Sequence, residues 1–192
     1  ALSSAASDVY KRQDFLMSQN YEDTRTYQIG KTGEQIVLEL LRSFKKVVRV
    51  DDVSDLTQYQ VQDVDFVVYM NNHGKQTITT VEVKSEPMAA KTGNFFVEKK
   101  MRYTKDNSRY QSGVVRRGWL YTSQAKWFFW YVEDEGKVYA CLAKRLRWYI
   151  DNYFPKERTC NDGYKIVTGY LVPIHDLCEK CNVYQWNVNT PK

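Results

Sequence analysis

The chain has 192 residues, 43% of them apolar, and a net charge of +5, so a single domain with its own core is the simplest organisation. It contains no run of 18 apolar residues, which excludes a predicted membrane-spanning helix, and its opening ALSSAASDVYKRQ lacks the apolar stretch of a secretory signal. These features fit an intracellular location, cytoplasmic or nucleoid-associated.

Residues 1–24 read as a polar, Ser-rich arm suited to dimer or DNA contacts, and 25–192 as one domain with its core motifs in 27–100. Residues 27–44 (YQIGKTGEQIVLELLRSF) predict an amphipathic helix whose apolar stripe is Ile36, Val37, Leu40, Leu41 and Phe44. At about 100° per residue Glu34 lies at the edge of that stripe, whereas Glu39 falls on the far side. A first-turn acid is also favoured by the helix dipole alone. Gly30 and Gly33 make no phosphate loop, because neither a Gly-Lys-Ser/Thr ending nor a preceding strand accompanies them.

Two runs then predict strands, DVDFVVYM (63–70) and TITTVEVKSE (77–86), joined by the turn-forming NNHGKQ. Side chains alternate along a strand, so Glu82 and Lys84 share one face and Val83 points to the other. Asp65 is embedded in the first run, and Asp63, on the same face, is its rival. Glu-x-Lys recurs at Glu98-Lys99-Lys100 and Glu135-Gly136-Lys137, yet only Glu82-Val83-Lys84 follows an apolar run that carries an aspartate. The bland reading is a cross-strand ion pair on a half-exposed hairpin. The sharper one is a divalent-cation site beside a lysine. Asp65, Glu82 and Glu34 offer the hard oxygen donors that Mg²⁺ and Mn²⁺ prefer.

From Lys84 to Arg117, nine basic residues (Lys84, Lys91, Lys99, Lys100, Arg102, Lys105, Arg109, Arg116, Arg117) face only Glu86, Glu98 and Asp106. That local excess exceeds the net charge of the whole chain and predicts a polyanion-binding face, against the alternative of a merely solvated surface. NFFVEKK (94–100) predicts a further strand, and SRYQSGVVRRGWL (108–120) a DNA-contacting segment. TSQAKWFFWYVEDEGKVYACL (122–142) predicts a short helical entry and a hairpin, with Trp127 to Tyr131 buried on both faces. AKRLRWYIDNYF (143–154) predicts a helix carrying Lys144, Arg145 and Arg147 outward as a second phosphate contact, and GYLVPIHDL (169–177) a last strand and turn. Cys160, His175, Cys178 and Cys181 could supply four zinc ligands, but only one CxxC is present and free thiols are the simpler reading.

The stretch from GKTGEQIVLELLRSF through VVRVDD and DVDFVVYM to TTVEVKSE resembles the PD-(D/E)xK nuclease superfamily, most closely its archaeal and phage Holliday-junction-resolvase-like branch. The resemblance covers roughly the first half of the chain. It departs from the superfamily pattern in having Val64, not proline, before the aspartate. It implies an α/β, restriction-endonuclease-like core, a mixed central β-sheet flanked by helices, with the C-terminal half extending that sheet. Asp65 and Glu82, helped by the Val83 carbonyl, would be metal ligands, Glu34 would complete the site, and Lys84 would orient or activate the attacking water. The implied function is Mg²⁺- or Mn²⁺-dependent endonucleolytic cleavage of DNA, in recombination or repair, and a junction-resolving version implies a symmetric homodimer. The alternative is a non-catalytic nucleic-acid-binding module with the same fold.

Overall fold

The computed structural model describes residues 25–106, 111–161 and 163–188. The N-terminal arm, Arg109 and the last four residues lie outside the described residues.

The first helix, α1 (Arg25–Ser43), forms where the periodicity places it. Its inner face buries Ile36, Val37, Leu38 and Leu41, with Leu40 and Phe44 packed at the margin. That face lies on a six-stranded mixed sheet of order β1 (Val47–Asp52), β2 (Phe66–Asn72), β3 (Lys75–Ser85), β6 (Trp127–Val132), β7 (Lys137–Leu142) and β10 (Tyr184–Asn187). Strands β1, β2 and β3 form an antiparallel meander. The β2–β3 turn is the predicted one. His73 and Gly74 both have positive φ, and the Gly74 amide donates to Asn71 Oδ1 at 2.8 Å. β6 runs parallel to β3, so the chain between them must make a long crossover.

Much of that crossover, with part of the C-terminal half, builds a second sheet. It is four-stranded and antiparallel, of order β5 (Val115–Arg117), β4 (Asn94–Tyr103), β9 (Lys165–Pro173) and β8 (Glu157–Asn161). The further strand NFFVEKK thus enters the second sheet; of the C-terminal half, β6, β7 and β10 extend the central sheet, whereas β8 and β9 belong to the second. Phe95 and Val97 of β4 bury against the face of the first sheet opposite α1, where Phe95 stacks on Trp130 with ring centroids 4.6 Å apart. Two short helices, α2 (Thr57–Gln60) and α3 (Ala89–Thr92), and one turn of helix, α4 (Trp119–Thr122), lie in the connections. Helices α5 (Ala143–Tyr153) and α6 (Ile174–Cys181) close the same core through Leu146, Tyr149, Ile150, Leu177 and Cys181.

The aromatic run behaves as expected. Phe128, Phe129, Trp130 and Tyr131 are buried, on alternating faces that feed the two cores, and Trp127 is half-buried at the strand entrance. The short helix that was expected to begin at Thr122 ends there instead. GYLVPIHDL is not the end of the architecture, because helix α6 begins within it at Ile174 and an edge strand follows. The expected outward pose of Arg147 is also corrected: its guanidinium turns inward and donates to the carbonyls of Leu120 and Ser123, each at 2.8 Å. Among the described residues, no helix is long and apolar enough to cross a membrane.

Candidate active site

The open end of the β2–β3 hairpin gathers most of the predicted site residues. Val81 and Val83 point into the core under α1, which leaves Glu82 and Lys84 on the opposite face, toward the second sheet. Asp65 immediately precedes β2, yet its amide already donates to the Val81 carbonyl at 2.9 Å, so the ladder fixes it beside Glu82. Its Oδ2 accepts the Val83 amide at 2.7 Å. Glu82 is 3% exposed and one of its oxygens, Oε1, accepts the Lys84 ammonium. The other, Oε2, is buried and has no hydrogen-bond partner. A carboxylate oxygen in that condition costs free energy unless a cation or a proton meets it.

Glu34 stands where the helix argument places it. Helix α1 crosses the end of β3 at Gly33, where an added Cβ would lie 2.2 Å from Ser85 Oγ and 3.3 Å from Tyr131 Cβ. Ser85 Oγ in turn donates to the Ile29 carbonyl at 3.0 Å. Glu34 is close enough for its charge to act on Asp65, while its Oε2 accepts the Lys31 ammonium at 2.9 Å. Glu39 is exposed and bonded to Gln35 at the far side. The three acids are not collapsed onto one point. Among the described residues, the only trio of His, Cys, Asp or Glu whose ligand atoms all lie within 4.8 Å is His175, Asp176 and Glu179, along helix α6 with His175 and Glu179 exposed.

Burial pushes the Asp65 carboxyl up to about 6, against the pull of Lys84 and of the Val83 amide, and the charge of Glu34 adds to the rise. Burial raises Glu82 as well, with Lys84 pulling the other way and Asp65 reinforcing. Desolvation opposes the charge on Lys84, but Glu82 and Asp65 together hold its ammonium above its ordinary value, so it stays cationic at neutral pH. These are carboxylates crowded in a poorly solvated place around one ammonium, an arrangement in which another cation is favourable. The donor set of Asp65, Glu82, Glu34 and the Val83 carbonyl, with one buried orphan oxygen, fits a hard divalent ion.

A cleft of about 270 Å³ opens beside Lys84 between the two sheets, lined among others by Asp63, Glu98, Arg116, Arg117 and Trp119. Asp63, the rival of Asp65, has a left-handed φ of 49° and its Oδ2 accepts the Thr122 hydroxyl at 2.6 Å. Of the predicted basic face, Arg116 and Arg117 line the cleft together with Lys165, which the local charge count missed because it lies on β9, far away in sequence. Lys100 and Arg102 line a separate depression with Val115 and Thr168. Lys99 pairs with Glu157, Lys105 sits over the Tyr164 ring at 5.1 Å, and Lys91 lies on α3. Among the described residues, the basic side chains are thus divided between two depressions and individual pairs. The four-ligand zinc set is likewise not assembled: Cys160 is exposed on β8, Cys181 is buried, and all four cysteines are free thiols.

Glu86, on the same face as Glu82 and Lys84, is a member that alternation alone could have found. Burial pushes its carboxyl up to about 8, although the Phe96 amide donates to it and Lys84 draws it down. A carboxyl raised above its unfolded value stabilises most when protonated, and that advantage is lost as pH climbs through the folded value. Glu86→Gln should therefore gain stability over the unmodified protein progressively from about pH 4.5, the ordinary glutamate value, and level off above about 8. Thermal melts of both proteins across that range check it, and a gap that does not change with pH would contradict the assignment.

Compared with known proteins, the chain matches no family model, no curated protein and no solved structure.

Proposed function

We propose that the protein is a Mg²⁺- or Mn²⁺-dependent endonuclease that hydrolyses DNA phosphodiester bonds, with a restriction-endonuclease-like core. The observation that carries this reading is the buried Glu82 carboxylate, with one oxygen on Lys84 and the other unpartnered, alongside Asp65 at the open end of the hairpin. Asp65, Glu82, the Val83 carbonyl and Glu34 would hold the ion, which supplies Lewis-acid stabilisation of the phosphoryl oxygens and an acidified water.

The protein's own groups do the rest. Lys84, held cationic, is suited to offsetting the charge that develops on the phosphate and to orienting the attacking water, and poorly suited to accepting a proton. Arg116, Arg117 and Lys165 draw the phosphate backbone into the cleft. Asp63 and Glu98 on the cleft wall disfavour phosphate at their own positions and so narrow where the backbone can lie. The order helix, strand, strand, strand with a mixed sheet supports the resemblance to the PD-(D/E)xK superfamily. A junction-resolving version requires a symmetric homodimer with its two sites facing opposite strands.

The test is cleavage of labelled four-way junction, flap, single strand and plain duplex with Mg²⁺, Mn²⁺ or EDTA, with Lys84→Ala as the control. Metal-dependent cutting that falls by about a hundredfold or more in Lys84→Ala is expected. Salt-sensitive binding without cutting under every condition would replace the nuclease with a nucleic-acid-binding module.

A further inference from the structure

We propose that the turn from Gly118 to Ser123 is the positioning element of this site, and that Trp119 seats the Lys84 ammonium against Glu82. This rests on the nuclease reading above. Trp119 is 6% exposed and its ring centroid lies 5.5 Å from Lys84 Nζ. The indole packs edge-on against Phe128 at 5.0 Å, and Phe128 is the register partner of Glu82 across the β3–β6 pair. The ammonium is therefore bounded by the Glu82 carboxylate on one side and an aromatic face on the other. A lysine has a long flexible stem and a compact charge. A desolvated ring face attracts that charge and removes most of the rotamers it would otherwise sample.

The rest of the turn ties this seat to the aspartate. The Thr122 hydroxyl donates to Asp63 Oδ2 at 2.6 Å and the Ser123 hydroxyl to the Asp63 carbonyl at 2.9 Å, two residues before Asp65. These bonds hold Asp63 in its left-handed backbone conformation. Arg147 of α5 takes the free carbonyls of Leu120 and Ser123 at the end of the turn. The Gly118 amide donates to the Lys99 carbonyl of β4 at 2.8 Å. One turn thus connects the approach to β2, the lysine of β3, the second sheet and helix α5. Trp119 touches no reacting atom in this scheme. It acts through Lys84.

Two readouts test it. In a proton–carbon spectrum the Lys84 ε-methylene, assigned by its disappearance in Lys84→Met, should carry a ring-current shift in the unmodified protein. That shift should persist in part in Trp119→Phe and vanish in Trp119→Leu. In cleavage assays Trp119→Leu should lower kcat by roughly tenfold to a hundredfold at unchanged KM, and Trp119→Phe should recover most of the loss. An unshifted Lys84 ε-methylene in the unmodified protein overturns the proposal without any variant at Trp119. Equal loss of kcat in Trp119→Phe and Trp119→Leu overturns it too, because a ring would then not be what matters. If the unmodified protein cuts no substrate, the nuclease reading fails while the spectrum still decides whether Trp119 seats Lys84.

Discussion

Asp65→Asn should lower metal-dependent cleavage by at least about a hundredfold while leaving the fold intact. Asparagine has the shape of aspartate, and its Oδ1 can still accept the Val83 amide that Asp65 Oδ2 now accepts at 2.7 Å. What it removes is a negative charge that burial already makes unfavourable, as the rise of the Asp65 carboxyl to about 6 records. The variant should therefore melt at the same temperature as the unmodified protein, or slightly higher, in EDTA. In Mg²⁺ the order should reverse, since an ion bound only by the folded state stabilises in proportion to its affinity and the variant has lost one ligand. Melting curves with and without Mg²⁺, run beside the cleavage assay, separate the two effects. Full activity in the variant would remove Asp65 from the site.

Gly118→Ala should destabilise the protein by about 2–3 kcal/mol, the cost of forcing a methyl group into a packed place. A Cβ at this position would lie 2.3 Å from the Glu98 carbonyl oxygen and 2.5 Å from its carbon. Both are backbone atoms of β4, held in the ladder with β9, so the neighbour cannot swing aside as a flexible side chain would. The backbone angles at Gly118 are ordinary (φ −75°, ψ 167°), so the glycine is needed for closeness, not for freedom. For a domain of this size the loss corresponds to a fall in melting temperature of roughly 4–12 °C. Gly30→Ala is the matched control. It sits in α1 with nothing within 4 Å of the added Cβ and should raise stability by up to about 1 kcal/mol. Equal melting temperatures for Gly118→Ala and the unmodified protein would mean that β4 and the α4 turn are not pressed together. Because the same turn carries Trp119, Thr122 and Ser123, cleavage should fall alongside stability.

The hairpin and its acids were legible in the sequence because period two is a local property: alternation alone puts Glu82 and Lys84 on one face and Val83 on the other. Period 3.6 in α1 likewise separated Glu34, near the site, from Glu39, in solvent. The same logic, carried two residues further, reaches Glu86. The second sheet was not legible. NFFVEKK reads as a strand in either sheet, and nothing local in it says which edge it will join. A run of basic residues reads as one face only if the backbone between them is straight. The irregularity in β4 between Glu98 and Lys100 and the antiparallel pairing of β5 with β4 break that assumption: Arg116 and Arg117 line the cleft, whereas Lys100 and Arg102 line another depression.

What the sequence by itself determined is the set of chemical groups and the local periodicities that give each a side: Asp65, Glu82 and Lys84 at a hairpin end, Glu34 on the margin of a helix, an aromatic strand buried on both faces. Only the tertiary structure decided that Glu82 is buried with one oxygen unpartnered, that Asp63 is spent on Thr122, that Arg147 turns inward, and that Trp119 faces Lys84. The reason is physical. Periodicity fixes which way a side chain points, whereas its burial and its partners depend on segments 30 to 60 residues away that the core brings against it.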